Sequence, residues 1–313
     1  MTEKLNIANL KRIVENPFLL YGELSSQLIR ANAKFHSYIY DSEQGTVDVM
    51  EEDWDNLIIL DGCRYDTFNK YNNFDGVLEK RVSAASQSLN FIRSNFSGKQ
   101  LHDTIYITSN PFVSEVDNSV FYKVISLLEE WNEDKQTVTP ETVIDAAKDE
   151  LQHNPDKRII IHFMQPHYPF IGPKGDSLDH RGYHPDEKDR HKSFSVWDEL
   201  QYKTADFELS EAIEAYEENL TIVLDKIQPL LQCMGGKTVI TADHGNLLGE
   251  RIGPIPVKGF GHPRGLRTPE LVEVPWFTID GERRQIVSEK PVSPKHLDDE
   301  VVDKRLNALG YVE

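Results

Sequence analysis

The residue types that can do chemistry cluster where short apolar runs end. Asp243 and His244 follow the run Thr238–Ala242, and Asp61 follows the run Asn56–Leu60. Short β-branched runs that stop at a charged residue are typical of buried parallel strands. Because ligands bind outside the carboxyl ends of the strands in open α/β sheets, we expect these three side chains at one edge. Two carboxylates so close repel each other by several kcal/mol without a cation, so the set predicts a divalent-cation site.

Two further histidines lie beside prolines in loops that could reach this edge. His167 follows the apolar run Arg158–Phe163, with a proline directly before it and another two residues after it. His262 comes eighteen residues beyond His244, between a glycine and a proline. Because the prolines restrict the backbone, both side chains could be aimed at substrate oxygens or at a leaving group. The alternative for His167 is a structural loop histidine, and His162, inside the run, is interpreted as a core residue.

Three serines precede a predicted helix over Leu89–Phe96. A serine at a helix start usually caps the helix, which stabilises it by about 1 kcal/mol. A helix start also holds anions, and a hydroxyl bound to a divalent cation ionises more readily and becomes a nucleophile. We take Ser83 as the candidate nucleophile and Ser86 as the cap, with Ser86 and Ser88 as alternative nucleophiles.

Arg64 follows Asp61 within one turn and could bind an anion, while Asp61 could instead cap the following helix. Two phosphatase classes are excluded here. A haloacid dehalogenase loop needs a second aspartate where Cys63 stands. A tyrosine phosphatase loop needs an arginine six residues after its cysteine, where Asn69 stands. Gly245, after His244, allows a sharp turn beside a ligand.

Apolar runs and helical stretches alternate along the chain, which predicts an α/β fold with a mostly parallel central sheet and helices on both faces. The expected strands are Leu57–Leu60, Thr104–Thr108, Arg158–Phe163, Val239–Ala242 and Val274–Ile279. The expected helices are Thr139–Leu151, capped by Thr139, and Ser210–Leu231, ended by Gly235 and Gly236.

Residues 1–50 are expected to form an N-terminal helical extension, with Leu24, Leu28 and Ala31 at helical spacing, and residues 51–313 a single catalytic domain. The segments 115–134 and 172–209 are expected as substrate-defining loops. Asp176, His180 and His191 could bind a metal, but a solvated loop is the preferred interpretation of that stretch.

Composition narrows the functional class. The 313 residues, 39% of them hydrophobic, suffice for one large α/β domain. The net charge of −18 argues against nucleic acid and against an anionic membrane surface as partners. Two cysteines, Cys63 and Cys233, indicate neither a disulfide framework nor a thiolate zinc site. No apolar run reaches the ~18 residues of a membrane span, and the first residues lack a signal-peptide pattern, so we expect a cytoplasmic protein.

In their order along the chain, these residues resemble the alkaline phosphatase superfamily, on its sulfatase-like branch. The resemblance covers about residues 54–312. Its matching segments are Asp61, Ser83–Ser86, Pro166–Pro169, Thr241–Gly245 with the following Asn246–Glu250, and the tail Arg305–Val312.

The resemblance implies that Asp61, Asp243 and His244 hold one divalent cation, with the nucleophile as a further ligand. It also implies that His167 and His262 contact oxygens of the transferred group. Hard oxygen ligands with one imidazole suit manganese, zinc, calcium or magnesium, and do not choose among them.

Two departures from the family pattern bear on the reaction. Sulfatases carry Cys/Ser-x-Pro/Ala-x-Arg around a residue converted to formylglycine, but Gln87 stands where the arginine would be. An unmodified serine is better matched to phosphoryl transfer. Two-metal members carry Asp-x3-His after the middle strand, where this chain has Gln165–His167, so a single cation is expected.

We therefore expect a metal-dependent hydrolase or transferase that acts on a phosphate ester or diester through a covalent serine intermediate. The expected partner is an anionic ester substrate, which a glycan could carry. The alternatives are a sulfatase on a glycan or small sulfate ester, and a non-catalytic metal-binding scaffold protein.

Overall fold

The protein is described by a computed structural model over residues 17–39, 45–117, 119–178, 195–292 and 299–309. The strands are β1 Asn56–Asp61, β2 Val77–Val82, β3 Leu101–Thr108, β4 Phe121–Ser126, β5 Arg158–Pro166, β6 Thr238–Ala242, β7 Leu247–Ile252, β8 Val257–Gly261 and β9 Glu273–Ile279. The helices are α1 Pro17–Ile39, α2 Tyr65–Tyr71, α3 Ser88–Phe96, α4 Pro140–His153, α5 Pro173–Ser177, α6 Val196–Tyr202, α7 Leu209–Leu231, α8 Pro269–Val272 and α9 Asp299–Ala308, with a 3₁₀ helix at Pro111–Glu115.

Seven strands form one sheet in the order β2-β9-β6-β1-β5-β3-β4. The neighbours from β6 through β1, β5 and β3 to β4 pair in parallel, while β9 is antiparallel to both β6 and β2. Strands β7 and β8 form a separate antiparallel ribbon. The expected fold class, a mostly parallel sheet with flanking helices, is confirmed.

Strand β1 lies at the centre of the sheet, and all six of its residues are buried. Side chains alternate between the two faces of a strand. Leu57 and Ile59 therefore join the core cluster that contains residues of α3 and α9, while Ile58 and Leu60 join the cluster that contains residues of α4 and α7. Helices on both faces thus explain why the run is apolar without alternation.

The five expected strands are present as β1, β3, β5, β6 and β9, and the two expected helices as α4 and α7. Thr139 occupies the N-cap position of α4, but its side chain makes no capping hydrogen bond. In β1, β3, β5, β6 and β9, the structure extends the expected bounds by one to three residues at one or both ends. Strand ends of this kind carry polar residues that interrupt the apolar pattern.

The expectation that 115–134 is a loop is wrong, because this segment contains β4. Both β4 and the unexpected β2 are edge strands, and most of their residues are partly or fully exposed. Half-exposed edge strands carry charged residues and lack a continuous apolar run. In the segment 172–209, the described residues include α5, α6 and the start of α7. Within the described helices, none combines the length and the apolarity needed to cross a membrane.

Candidate metal centre and active site

The two aspartates lie side by side at the carboxyl ends of neighbouring strands. Leu60 of β1 pairs with Ala242 of β6, so Asp61 and Asp243 continue from adjacent positions. Both side chains are fully buried. The backbone N–H groups of Gly62 and His244 donate to Asp243 Oδ1 at 3.0 and 2.8 Å, which orients that carboxylate. The aspartates expected from the sequence to share one edge are therefore brought together.

Three buried side-chain atoms at this edge of the sheet have no hydrogen-bond partner in the described part of the chain. They are Asp61 Oδ1, Asp243 Oδ2 and His162 Nε2. One ligand atom from each residue lies within 4.8 Å of the others. A buried polar atom without a partner is unfavourable by about 1–3 kcal/mol, so this arrangement is explained best by a bound ion. Two carboxylate oxygens and one imidazole nitrogen suit a divalent cation, and the residues present therefore fit one.

His244 approaches the same two carboxylates. Its Nε2 lies 3.6 Å from Asp61 Oδ1 and 3.6 Å from Asp243 Oδ2. Its Nδ1 lies 2.7 Å from the carbonyl oxygen of Gly245, which can only accept a hydrogen bond. In the neutral imidazole the proton is therefore on Nδ1, and the lone pair of Nε2 faces the carboxylates. Gly245 itself is required by packing, because a Cβ there would overlap the carbonyl oxygen of Glu270.

Charge is concentrated at this buried centre. Burial and the repulsion from Asp243 raise the pKa of Asp61 well above its ordinary value, against the hydrogen bonds from Ser88 and Asn110. A bound cation would lower the pKa of Asp61 again, since it stabilises the ionised form.

The three candidate serines lie in different environments. The hydroxyl of Ser88, the first residue of α3, lies 3.1 Å from Asp61 Oδ2 and 3.3 Å from His244 Nε2. The hydroxyl of Ser83 instead donates to the backbone carbonyl of Asp243 at 2.5 Å. Ser86 is buried, but within the described residues no hydrogen bond joins its side chain to either aspartate. Ser88 is thus the serine that the fold brings to the carboxylates.

His167 and His262 meet above this centre. Their Nε2 atoms are 2.9 Å apart, and the ring of His262 also lies 4.8 Å from that of His244 between centroids. The Nδ1 of His167 lies 2.5 Å from the carbonyl oxygen of Tyr168, so it carries the proton, and in the neutral ring Nε2 accepts from His262. Burial lowers the pKa of His167 to about 4 and that of His262 well below its ordinary value. Both expected substrate-binding histidines are therefore brought to the site as neutral rings.

Arg64 is engaged by protein acids. Its guanidinium donates to both carboxylate oxygens of Asp66, at 2.8 and 2.6 Å, to Glu250, and to the carbonyl oxygen of Asn246 at 3.0 Å. Arg64 also lines a cavity of about 200 Å³ whose lining does not include the two aspartates. Its contacts tie the loop after β1 to the residues after β6, so the structure gives it a positioning role.

Two residues at this edge were not expected from the sequence to contribute. Asn110, after β3, donates from Nδ2 to Asp61 Oδ2 at 2.8 Å. His162, in β5, lies with Nε2 3.9 Å from Asp243 Oδ2, and its Nδ1 is 2.9 Å from the hydroxyl of Tyr106. Asn110 could have been suggested by its position two residues after an expected strand. His162 could not, because the residues around it form an apolar run.

Helix α7 positions the loops that carry the site. Tyr216 donates its hydroxyl hydrogen to the carbonyl oxygen of Gly62 at 2.8 Å and accepts from the N–H of Arg64. Asn219 donates to the carbonyl oxygens of Pro166 and His167 at 3.1 and 3.0 Å. Both side chains are buried, so the loops after β1 and β5 are fixed against one helix.

The remaining sequence candidates lie elsewhere. The side chain of Asp176, in α5, is 3.7 Å from Lys135 Nζ. His180 and His191 lie outside the described residues, as does the end of the C-terminal tail from residue 310. Cys63 is fully buried, and burial raises the pKa of its thiol well above the ordinary value, so it is poorly suited to act as a nucleophile.

Comparison with known proteins supports the fold. No family model matches the sequence, and no curated protein matches it. Among solved structures, a 2-O GAG sulfatase is similar, with a TM-score of 0.51 and 13% sequence identity over 82% of this chain and 70% of that one.

Two phosphoethanolamine transferases are also similar, at lower TM-scores. The integral membrane protein lipooligosaccharide phosphoethanolamine transferase A from Neisseria meningitidis gives 0.46 at 11% identity; the match covers 72% of this chain and 47% of that one. The C-terminal periplasmic domain of phosphoethanolamine transferase EptC from Campylobacter jejuni gives 0.44 at 16% identity, over 72% and 78%. The likeness to the sulfatase, with the observed sheet order, shows that this chain shares the fold of that enzyme.

Proposed function

We propose that the protein is a metal-dependent hydrolase or transferase that acts on a phosphate ester or diester through a covalent intermediate on Ser88. The proposal assigns Asp61 and Asp243 as cation ligands, with His162 and His244 as the imidazole donors. His167 and His262 bind the oxygens of the transferred group. The cation is manganese, zinc, calcium or magnesium, and the residues do not distinguish these four.

One observation carries this proposal: the hydroxyl of Ser88 lies between a buried carboxylate and a buried imidazole, at the start of a nine-residue helix. Asp61 Oδ2, to which Ser88 donates at 3.1 Å, is within reach of the serine proton. The first N–H groups of α3 have no partners within the helix and favour negative charge on an oxygen there. A serine in this setting is prepared to ionise and attack.

The reaction runs in two displacements. Ser88 passes its proton to Asp61 Oδ2, to which it already donates a hydrogen bond, and its oxygen attacks phosphorus as the bond from phosphorus to the leaving oxygen breaks. The leaving oxygen takes up a proton from solvent, and the neutral rings of His167 and His262, which share a hydrogen bond, hold the phosphoryl oxygens. Water or an acceptor hydroxyl then attacks the phosphoserine, the bond to Ser88 breaks, and the serine recovers a proton.

A bound cation would supply charge neutralisation for the ionised serine and for the phosphoryl oxygens. The chain's own contribution is to hold the reacting groups in place and to keep bulk water away. The aspartates and His244 are fully buried, and His167 is 4% exposed. Fixed donors in such an enclosed site stabilise developing charge more strongly than water does.

The second candidate, a sulfatase acting on a glycan or a small sulfate ester, is favoured by the fold shared with the 2-O GAG sulfatase. The residues around Ser88 argue against it. Asn90 and Ile92 stand where the formylglycine pattern requires proline or alanine and then arginine. A peptide mass two hydrogens lighter at Ser88 or Ser83 would support the sulfatase, and an intact serine supports phosphoryl transfer.

A panel of aryl phosphate, phosphodiester, phosphonate and sulfate esters, each with several divalent cations, tests the proposal. We expect turnover of a phosphate ester or diester, and a loss of at least about 1,000-fold in Ser88→Ala, because the nucleophile is removed. Ser83→Ala is the matched control and should retain most of the turnover, since among the described residues the Ser83 hydroxyl bonds to the backbone groups of Asp243 and Ala85.

Asp243→Asn tests the role of the cation separately from that of the nucleophile. This variant keeps the shape of the side chain but removes a charge, so calorimetry should show loss of cation binding together with turnover, whereas Ser88→Ala should keep most of the cation affinity. Full turnover of Ser88→Ala would reject Ser88 as the nucleophile. Metal binding with no turnover on any ester would reject the catalytic proposal and favour the non-catalytic scaffold. The cytoplasmic location expected from the sequence stays a prediction.

A further inference from the structure

Helix α1 presents three different faces. Its buried face carries small and polar residues, and two of them bond to the β7–β8 ribbon. Asn32 exchanges hydrogen bonds with the backbone of Ile255 at 2.8 and 2.9 Å, and His36 lies 3.0 Å from the carbonyl oxygen of Gly253. The polar face carries Glu23, Gln27, Arg30 and Lys34. The third face is apolar and exposed.

The exposed apolar face forms a continuous seam. It contains Leu24 at 52%, Leu28 at 39% and Tyr38 at 77% exposure, together with the exposed Tyr21, Ala31 and Phe35. Contiguous apolar patches of more than a few hundred Å² are uncommon on monomeric soluble proteins and mark interaction sites.

The spacing of the seam identifies the shape of its partner. Tyr21, Leu24, Leu28, Ala31, Phe35 and Tyr38 follow each other at intervals of 3, 4, 3, 4 and 3 residues. This is the 3.5-residue repeat that packs against a second helix by inserting side chains between those of the partner. The repeat runs almost the whole length of the 23-residue helix.

The seam is also complementary to itself. When two copies run antiparallel, the alternating intervals place Tyr21 against Tyr38, Leu24 against Phe35 and Leu28 against Ala31 of the other copy, and each pairing occurs twice. A large residue thus meets the small Ala31 near the two-fold axis, where the helices approach most closely. Pairings of this kind make an interface in which the same patch serves both subunits.

We propose that α1 pairs with α1 of a second copy of this chain, antiparallel and about a two-fold axis, to form a homodimer. The exposed apolar side chains of α1 offer on the order of 600 Å² per copy, so about 1,200 Å² is buried in total, at the lower bound of a specific protein interface. The net charge of −18 disfavours an anionic bilayer as the occupant. The proposal is independent of the catalytic assignment.

Sedimentation equilibrium of the full chain over a range of concentrations tests this inference. We expect a mass twice the 35.9 kDa of the single chain, with a dissociation constant at or below about 10 µM. Leu24→Glu combined with Leu28→Glu should raise that constant by at least about 100-fold, because both copies lose buried leucines and gain like charges. Circular dichroism should show that the variant remains folded.

Val77→Glu is the matched control, since Val77 is 61% exposed on β2 and lies outside the seam. It should leave the dimer intact. A full chain that stays monomeric at about 100 µM overturns the proposal, as does a dimer that survives the double substitution. Binding to neutral phosphatidylcholine vesicles by a monomeric chain, abolished by the same double substitution, would also overturn it and assign the seam to a lipid surface.

Discussion

His162 and His244 approach the same pair of carboxylates from neighbouring parts of the sheet edge. The Nε2 of His244 lies 3.6 Å from both Asp61 and Asp243, while that of His162 lies 3.9 Å from Asp243 and has no hydrogen-bond partner among the described residues. Each imidazole is therefore placed to donate to a cation, and each has its other nitrogen engaged. The two can be distinguished by substitution.

His162→Ala should weaken cation binding by about 10–100-fold, because it removes an imidazole and leaves a carboxylate oxygen without its neighbour. Isothermal titration with manganese or zinc measures this. His153→Ala is the control, since it removes an exposed imidazole on α4. Unchanged affinity in His162→Ala, with affinity lost in His244→Ala, would assign the imidazole ligand to His244 alone.

At the residue scale, the sequence supported the aspartates better than the serine. A charged residue that ends an apolar run is a local signal, and parallel strands bring such ends together. The choice among Ser83, Ser86 and Ser88 depends on how the short connection between β2 and α3 turns, for which the residues carry no local signal. His162 was interpreted as a core residue because its neighbours are apolar, and only the adjacency of β5, β1 and β6 brings it to Asp243.

Helix α7 acts on the site through two buried polar side chains and touches neither carboxylate in the contacts described above. The side-chain amide of Asn219 donates to the carbonyl oxygens of Pro166 and His167. Its own oxygen accepts from the N–H of Ile171 at 3.1 Å. This element therefore fixes the loop that presents His167. It was expected from its apolar stripe, but a stripe does not show which polar residue faces a loop.

Asn219→Leu should lower the free energy of unfolding by on the order of 3 kcal/mol, because several buried backbone groups lose their partners. It should also lower turnover while cation affinity is kept, since the carboxylates come from β1 and β6. Steady-state kinetics and calorimetry on one preparation measure both. Thr221→Ala, on the same helix, is the control, because its hydroxyl donates to the carbonyl oxygen of Glu218 within that helix. Equal losses in cation affinity and turnover would contradict a role confined to the loop.

For the whole molecule, buried histidines link stability to pH. Burial lowers the pKa of His162 and of His167 from 6.5 to about 4. Between these values the unfolded chain binds protons that the folded chain does not, so this contribution lowers the free energy of unfolding as the pH falls from 6.5 towards 4. The raised pKa of Asp61 acts in the opposite direction, and a comparison of variants removes its contribution.

Urea unfolding of the metal-free protein at pH 7 and pH 5 measures this linkage. His167→Gln should reduce the pH-dependent loss of stability by about 2 kcal/mol relative to the parent chain, because one of the imidazoles whose pKa is lowered by burial is absent. His153→Gln, at an exposed position on α4, should leave the loss unchanged. An identical pH dependence in all three proteins would contradict neutral burial of His167.

The overall architecture could be predicted to the extent that its strands are buried on both faces. β1, β5 and β6 are continuous apolar runs with a single interpretation, and they form the centre of the sheet. The edge strands β2 and β4 are held by pairing with neighbours far away in sequence, and their own residues do not specify that pairing. The ribbon β7–β8 contains glycines and charged residues, so its sequence also lacks the continuous apolar run that predicts a buried strand.

The β7–β8 ribbon connects helix α1 to the proposed active site. β8 ends at Gly261, directly before His262, and the turn that joins β7 to β8 is held by Asn32 and His36 of α1. A fragment that begins at residue 51 would keep every proposed catalytic side chain. It would lose α1, which holds the β7–β8 turn, and with it the support of the strand that leads to His262. We therefore expect that shortened versions of the protein need α1 to keep His262 in place.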